Sequence, residues 1–196
     1  FSISGISSDV TFTATFGNAT ATCTVSIIII LFTDEAVTGS KNENFLTKGN
    51  GSITTDNTGT IWLVDGSDGY YIPNIDVSNY SDLTITWTFT YGTRYAQQVS
   101  LLNSNKVETN NQRWHNGGTS TPTNNWYTPS GSTTINHTLT VGDTMKLVKD
   151  ENTWSYYCND ELISSITPSY TVVYIGFTSA DNNRPFGYKD LLITSP

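Results

Sequence analysis

The chain has 196 residues, of which only 13% are Asp, Glu, Lys or Arg, and a formal net charge of −8. Its basic residues are scattered (Lys41, Lys48, Arg94, Lys106, Arg113, Lys146, Lys149, Arg184 and Lys189). Phosphate backbones need clustered Lys and Arg, so a nucleic-acid partner is excluded. No apolar run approaches the roughly 20 residues of a membrane-spanning helix, so membrane insertion is not expected.

Thr, Ser, Asn and Gly dominate the composition. A surface solubilised by hydroxyls and amides suits an extracellular protein, on a cell or virion surface. The chain opens at Phe1 without Met, which reads as a processed product or a piece of something longer.

Period-2 alternation punctuated by Gly, Asn, Asp and Pro runs from end to end, the pattern of an all-β sandwich or barrel. Residues 10–25 form two alternating runs joined at Gly17-Asn18, a favourable two-residue hairpin turn. Val10, Phe12, Ala14 and Phe16 share one face of the first run; Ala21, Cys23 and Val25 share one of the second. Ile27-Ile28-Ile29-Ile30-Leu31-Phe32 is short and largely β-branched, and reads as a strand buried on both faces. In residues 82–91, Leu83, Ile85, Trp87 and Phe89 alternate with Thr84, Thr86 and Thr88. Further strands are expected at 96–102, 135–141, 145–149, 154–158, 162–166, 172–178 and 186–193, with a tight turn at Asn159-Asp160. This many strands at short spacing predicts a two-sheet antiparallel jelly roll with an N-terminal β-hairpin. The expected division is a hairpin at 1–27 and a sandwich at 28–196.

Two resemblances attach to these residues. "VTFTATFGNATATCTVSI" resembles the last two strands of a bacterial immunoglobulin-like repeat, which implies a tandem array on an adhesin or phage tail. The segment from "GDTMKLVKDENTWSYYCNDELISSI" to "YTVVYIGFTSADNNRPFGYKDLLI" resembles the concanavalin A-like, laminin G-like sandwich family. It shares the aromatic-rich strand ending at Asn159-Asp160, the strand with Ile175-Gly176-Phe177, and the final strand at Tyr188-Lys189-Asp190-Leu191-Leu192-Ile193. Together they bring to mind adhesin-like surface proteins and viral receptor-binding tips.

Signs of catalysis are sparse. Sandwich glycosidases direct two carboxylates into one cleft. Here the acids occur as neighbours, Asp34-Glu35, Asp150-Glu151 and Asp160-Glu161, and read as solvated loop charges, with Glu108 alone in a polar strand. Nothing in the sequence links His115 or His137 to Cys23 or Cys158, and His137 reads as a surface residue. The two cysteines lack partners at metal-binding spacing, and either a disulfide or two separate thiols is open. The expectation is a protein that is not an enzyme.

Binding is better supported. Sugars pack their apolar faces on aromatic rings while amides and charged groups bond their hydroxyls. Residues 110–127, "NNQRWHNGGTSTPTNNWY", read as a long loop that supplies both kinds of group. Trp114, Trp126 and Tyr127 are the stacking candidates; Arg113, His115, Asn116, Asn124 and Asn125 are the hydrogen-bonding ones. The alternative for Trp114 and Trp126 is that they plug the core or pack against another subunit. Asp65 and Asp68, in "DGSDGYY", could offer oxygens to Ca²⁺, although the same residues form ordinary turns. Trp62, Trp87 and Trp154 are expected in the core. Sequons occur at Asn18, Asn50, Asn79 and Asn136.

The sequence therefore predicts a non-catalytic domain that binds a cell-surface or cell-wall glycan, with homo-oligomerisation through the N-terminal hairpin as a further expectation. The alternatives are a structural sandwich that assembles or decorates a filament or capsid and, more weakly, a glycoside hydrolase or lyase.

Overall fold

A computed structural model of the chain describes residues 10–25, 27–33, 45–48, 62–64, 70–92, 98–117, 122–178 and 186–196. The strands among them are β1 (Val10–Phe16), β2 (Ala19–Val25), β3 (Ile29–Thr33), β4 (Phe45–Lys48), β5 (Trp62–Val64), β6 (Tyr70–Pro73), β7 (Asp82–Tyr91) and β8 (Gln98–Leu102). They continue as β9 (Glu108–Gly117), β10 (Asn125–Thr128), β11 (Gly131–Thr134), β12 (Thr144–Asp150), β13 (Thr153–Cys158), β14 (Glu161–Ile166), β15 (Tyr174–Thr178) and β16 (Phe186–Ser195). One 3₁₀ turn, Val77–Asn79, precedes β7.

The architecture is an antiparallel sandwich. One seven-stranded sheet runs β11-β10-β9-β8-β15-β6-β4; the other runs β14-β13-β12-β7-β16-β3, with β5 also paired to β16. The central strand β7 sets the core because its alternation is unbroken: Leu83, Ile85, Trp87 and Phe89 are each at most 1% exposed. Opposite them, Val99, Leu101, Trp114, Trp126, Ile175 and Phe177 point inward from the first sheet and are equally buried.

Tyr156 on β13 is the hub of the aromatic packing. Its ring lies 5.9 Å from Trp87, 5.5 Å from Trp114 and 5.7 Å from Trp126. Trp87 also meets Phe177 edge-on at 5.1 Å. Such pairs add about 0.5–1.5 kcal/mol each beyond area burial, so this cluster locks the two sheets face to face. Trp114 adds a polar tie, donating from Nε1 to Ser164 Oγ on β14 at 2.7 Å.

Several expected elements change. The expected strand at 135–141 is an irregular connection, and most of β9 and the start of β10 arise where the 110–127 loop was expected. The isoleucine run is not buried on both faces: Ile28, Ile29 and Ile30 are exposed at 67%, 49% and 63%, and only Phe32 is buried. The reason is topological: among the described strands β3 lies at the end of its sheet and pairs with β16. The hairpin at Gly17-Asn18 forms in the expected register, with Phe12 opposite Cys23, as a two-stranded sheet of its own. Residues 11–25 are exposed throughout, so Cys23 is an exposed thiol while Cys158 is buried, and both are free. The turn at Asn159-Asp160 takes the two positive φ angles, 47° and 64°, that a tight hairpin favours. The side chain of Trp62 lies outside what is described, whereas Trp87 and Trp154 are buried as expected.

Candidate functional site

The residues of the expected binding loop lie mostly on two paired strands. Arg113, Trp114, His115 and Asn116 belong to β9; Asn125, Trp126 and Tyr127 belong to β10. The β9–β10 register sets Asn125 opposite Gly117, Trp126 opposite Asn116, and Tyr127 opposite His115. Alternation then sorts the candidates by face.

Trp114 and Trp126 point inward and are 0% exposed. They offer no ring face to a ligand; of the two readings open for them, the core plug is the one that matches their burial. Asn116 also points inward, 2% exposed, and is committed to the backbone. Its Nδ2 donates to Thr123 O at 2.8 Å and its Oδ1 accepts from Thr123 N at 2.9 Å, so it pins the chain entering β10. These three residues build the site without facing it. Asn124 is half-buried, and its carbonyl accepts from Ile135 N at 3.0 Å. Asp65 and Asp68, the expected Ca²⁺ ligands, lie outside the described residues.

The opposite face carries Arg113, His115, Asn125 and Tyr127. His115 and Tyr127 stack, with ring centroids 4.6 Å apart and planes 15° from parallel. Tyr127 stays 40% exposed. Gly117 makes this possible: a Cβ there would lie 2.6 Å from Tyr127 Cε2, so only glycine lets the ring lie down on the sheet. Arg113, His115, Tyr127, Pro129, Gly131 and Ser132 line a groove of about 450 Å³.

A polar network braces this groove. Arg113 pairs with Glu108 at 3.5 Å, and Glu108 also accepts from Ser100 Oγ at 2.9 Å and Tyr70 Oη at 3.4 Å. Five residues apart on a regular strand, Glu108 and Arg113 would face opposite sides. Asn110 and Asn111, at φ 58° and 55°, insert a bulge that brings them to the same side. Glu108 is thus not a solvated charge: its side chain is only 10% exposed.

Electrostatics follow from this packing. Burial, helped by the Arg113 charge, lowers the His115 pKa to about 4, so its imidazole is neutral at physiological pH. A neutral imidazole both donates and accepts. Burial, followed by the Glu108 carboxylate, raises the pKa of Tyr70 and keeps its hydroxyl a donor. The groove therefore joins one partly exposed aromatic ring, one ion-paired guanidinium, a neutral imidazole and the Ser132 hydroxyl.

No family model and no curated sequence matches the chain. Solved structures do. The chain is similar to a protein of unknown function with galectin-like fold from Bacillus subtilis, with a TM-score of 0.50, 12% identity, and coverage of 84% of this chain and 94% of that one. It is also similar to a sialidase, with a TM-score of 0.51 and 10% identity over 74% of this chain, but it spans only 17% of that protein. The SPRY domain of human HERC1 gives a TM-score of 0.49 and 16% identity over 71% of this chain and 91% of that one. At these identities the likeness is one of fold, the antiparallel β-sandwich.

Proposed function

We propose that the chain is a non-catalytic glycan-binding module that works through the outer face of β9 and β10. The observation that carries this reading is the exposed Tyr127 ring, held flat by His115 and Gly117 beside the ion-paired Arg113. A pyranose laid on Tyr127 would set its C–H face against the ring. Its rim hydroxyls would then reach Arg113, His115 and Ser132, which line the same groove. Because these groups are fixed by stacking, pairing and strand register, little side-chain entropy is lost on binding. Among the described residues that line the groove none is Asp or Glu, so they offer no carboxylate pair of the kind glycoside hydrolysis uses, which supports binding over hydrolysis. In this reading the ligand is a cell-surface or cell-wall glycan, and the module is extracellular, on a cell or virion appendage.

The test is a broad glycan array probed with the wild-type chain and with Arg113→Ala. Binding to a defined sugar, weakened at least about tenfold by the substitution, supports the module. A blank array with a folded protein counts against it.

A second reading, assembly through the N-terminal hairpin, has its own observation. Phe12 and Phe16 are 40% and 91% exposed on a two-stranded sheet, an element that is at best marginally stable alone. The partner in that reading is a neighbouring chain in a filament or capsid, or a preceding immunoglobulin-like unit. A chain lacking residues before Ile27 that keeps the solution mass per assembly of the full chain would oppose it.

A further inference from the structure

Away from the groove, three ligand-bearing side chains from two segments of the sequence converge. His137 lies in the irregular 135–143 connection, Asp143 at its end, and Cys158 at the end of β13. Their ligand atoms all lie within 4.8 Å of one another. Cys158 is 0% exposed and Asp143 7%. His137 is half-exposed and gives a path from solvent.

His137 Nε2 lies 2.7 Å from Asp143 Oδ2. Asn159 fixes the same carboxylate from the other side: its Nδ2 donates to Asp143 Oδ1 at 2.8 Å, its Oδ1 accepts from Thr144 N at 2.9 Å, and its Nδ2 lies 3.2 Å from His137 Nε2. Thr140 N donates to Asp143 Oδ2 at 2.6 Å and Thr140 Oγ1 to Oδ1 at 3.2 Å, so the carboxylate is held in place beside the imidazole and the thiol.

A cation placed among the three ligand atoms would be reached by all of them. With its proton on Nδ1, His137 would aim the Nε2 lone pair at the ion, and Asp143 would supply an oxygen. We propose that His137, Asp143 and Cys158 form a binding site for a thiophilic divalent transition metal of the zinc class. Thiolate with imidazole and carboxylate is a donor set that selects zinc-like ions over calcium, and three protein ligands leave a fourth position for water. Binding breaks the Cys158 S–H bond, forms a sulfur–metal bond and releases that proton to solvent. One thiolate and one carboxylate then balance the charge of a divalent ion in a buried place. The site ties the 135–143 connection to the β13–β14 turn, at the edge of the sandwich rather than in the groove.

The experiment uses the full chain with Cys23→Ser, which removes the exposed thiol, and Co²⁺ as the spectroscopic probe for the zinc site. The expected result is a sulfur-to-cobalt charge-transfer band at one equivalent, displaced by Zn²⁺, together with a rise in Tm. Cys158→Ser should abolish the band. His137→Gln changes a half-exposed side chain, so its fold should survive. It should weaken Zn²⁺ binding by more than the roughly 10–100-fold that loss of a supporting hydrogen bond to a ligand costs. No band at stoichiometric Co²⁺, or a band and Zn²⁺ affinity unchanged by His137→Gln, would overturn the proposal.

Discussion

His115 and Tyr127 are direct cross-strand partners whose rings stack 4.6 Å apart, one neutralised by burial and the other 40% exposed. That pair turns part of a sheet face into a platform. Tyr127→Ala should therefore cost at least about tenfold in sugar affinity while changing stability by less than about 1 kcal/mol, as usual for a half-exposed side chain. Calorimetric titration with the array-selected sugar, alongside a denaturant melt, separates the two effects. A mutant that binds as well as wild type would remove Tyr127 from the site.

Gly117 tests the same platform without touching a ligand-facing group. Gly117→Ala places a methyl 2.6 Å from the Tyr127 ring and should push that ring off His115. Affinity should fall toward that of Tyr127→Ala, and the tyrosine ring signals should move in NMR spectra of the free protein. Unchanged ring signals would mean that the stacking does not depend on the glycine.

Trp114 and Trp126 should behave in the opposite way. Both are 0% exposed against Tyr156, so truncation to Ala should cost about 3–5 kcal/mol of folding stability. Any loss of binding should follow unfolding and vanish when the comparison is made at temperatures where both mutants remain folded.

The pH dependence has a definite sign. His115 has a pKa of about 4 in the fold, against about 6.5 for a free imidazole, so between those values the unfolded chain binds more protons. Its contribution to stability is fully present above about pH 6.5 and is lost as pH falls towards 4. The ring's partial exposure discounts that contribution to about 1–3 kcal/mol. Denaturant melts from pH 7 to 4 should show the decline, and His115→Gln should flatten it. An equal slope in the mutant would assign the decline to other groups.

The sandwich was legible because β7, β12 and β13 obey strict alternation, and hydrophobic period is the strongest strand signal. β9 escaped for a physical reason. Its inward positions are Gln112, Trp114 and Asn116, two of them amides, and the Asn110-Asn111 bulge shifts the phase before them. A polar residue that bonds the backbone from inside, as Asn116 does, looks in sequence like a loop residue. Arg113, His115 and Tyr127 could be named as candidates from their chemistry, but not separated from Trp114 and Trp126 without strand register. The His137–Cys158 convergence was invisible, since a connection of irregular backbone and a hairpin end bring the two together.

The most direct test of the central claim is an NMR titration of the isotopically labelled chain with the array-selected sugar, following ring and backbone signals together. The account predicts that the largest shifts fall on Tyr127, His115 and Arg113, with the β1–β2 hairpin unmoved. Shifts that cluster elsewhere, leaving the Tyr127 and His115 rings unchanged at saturation, would contradict it.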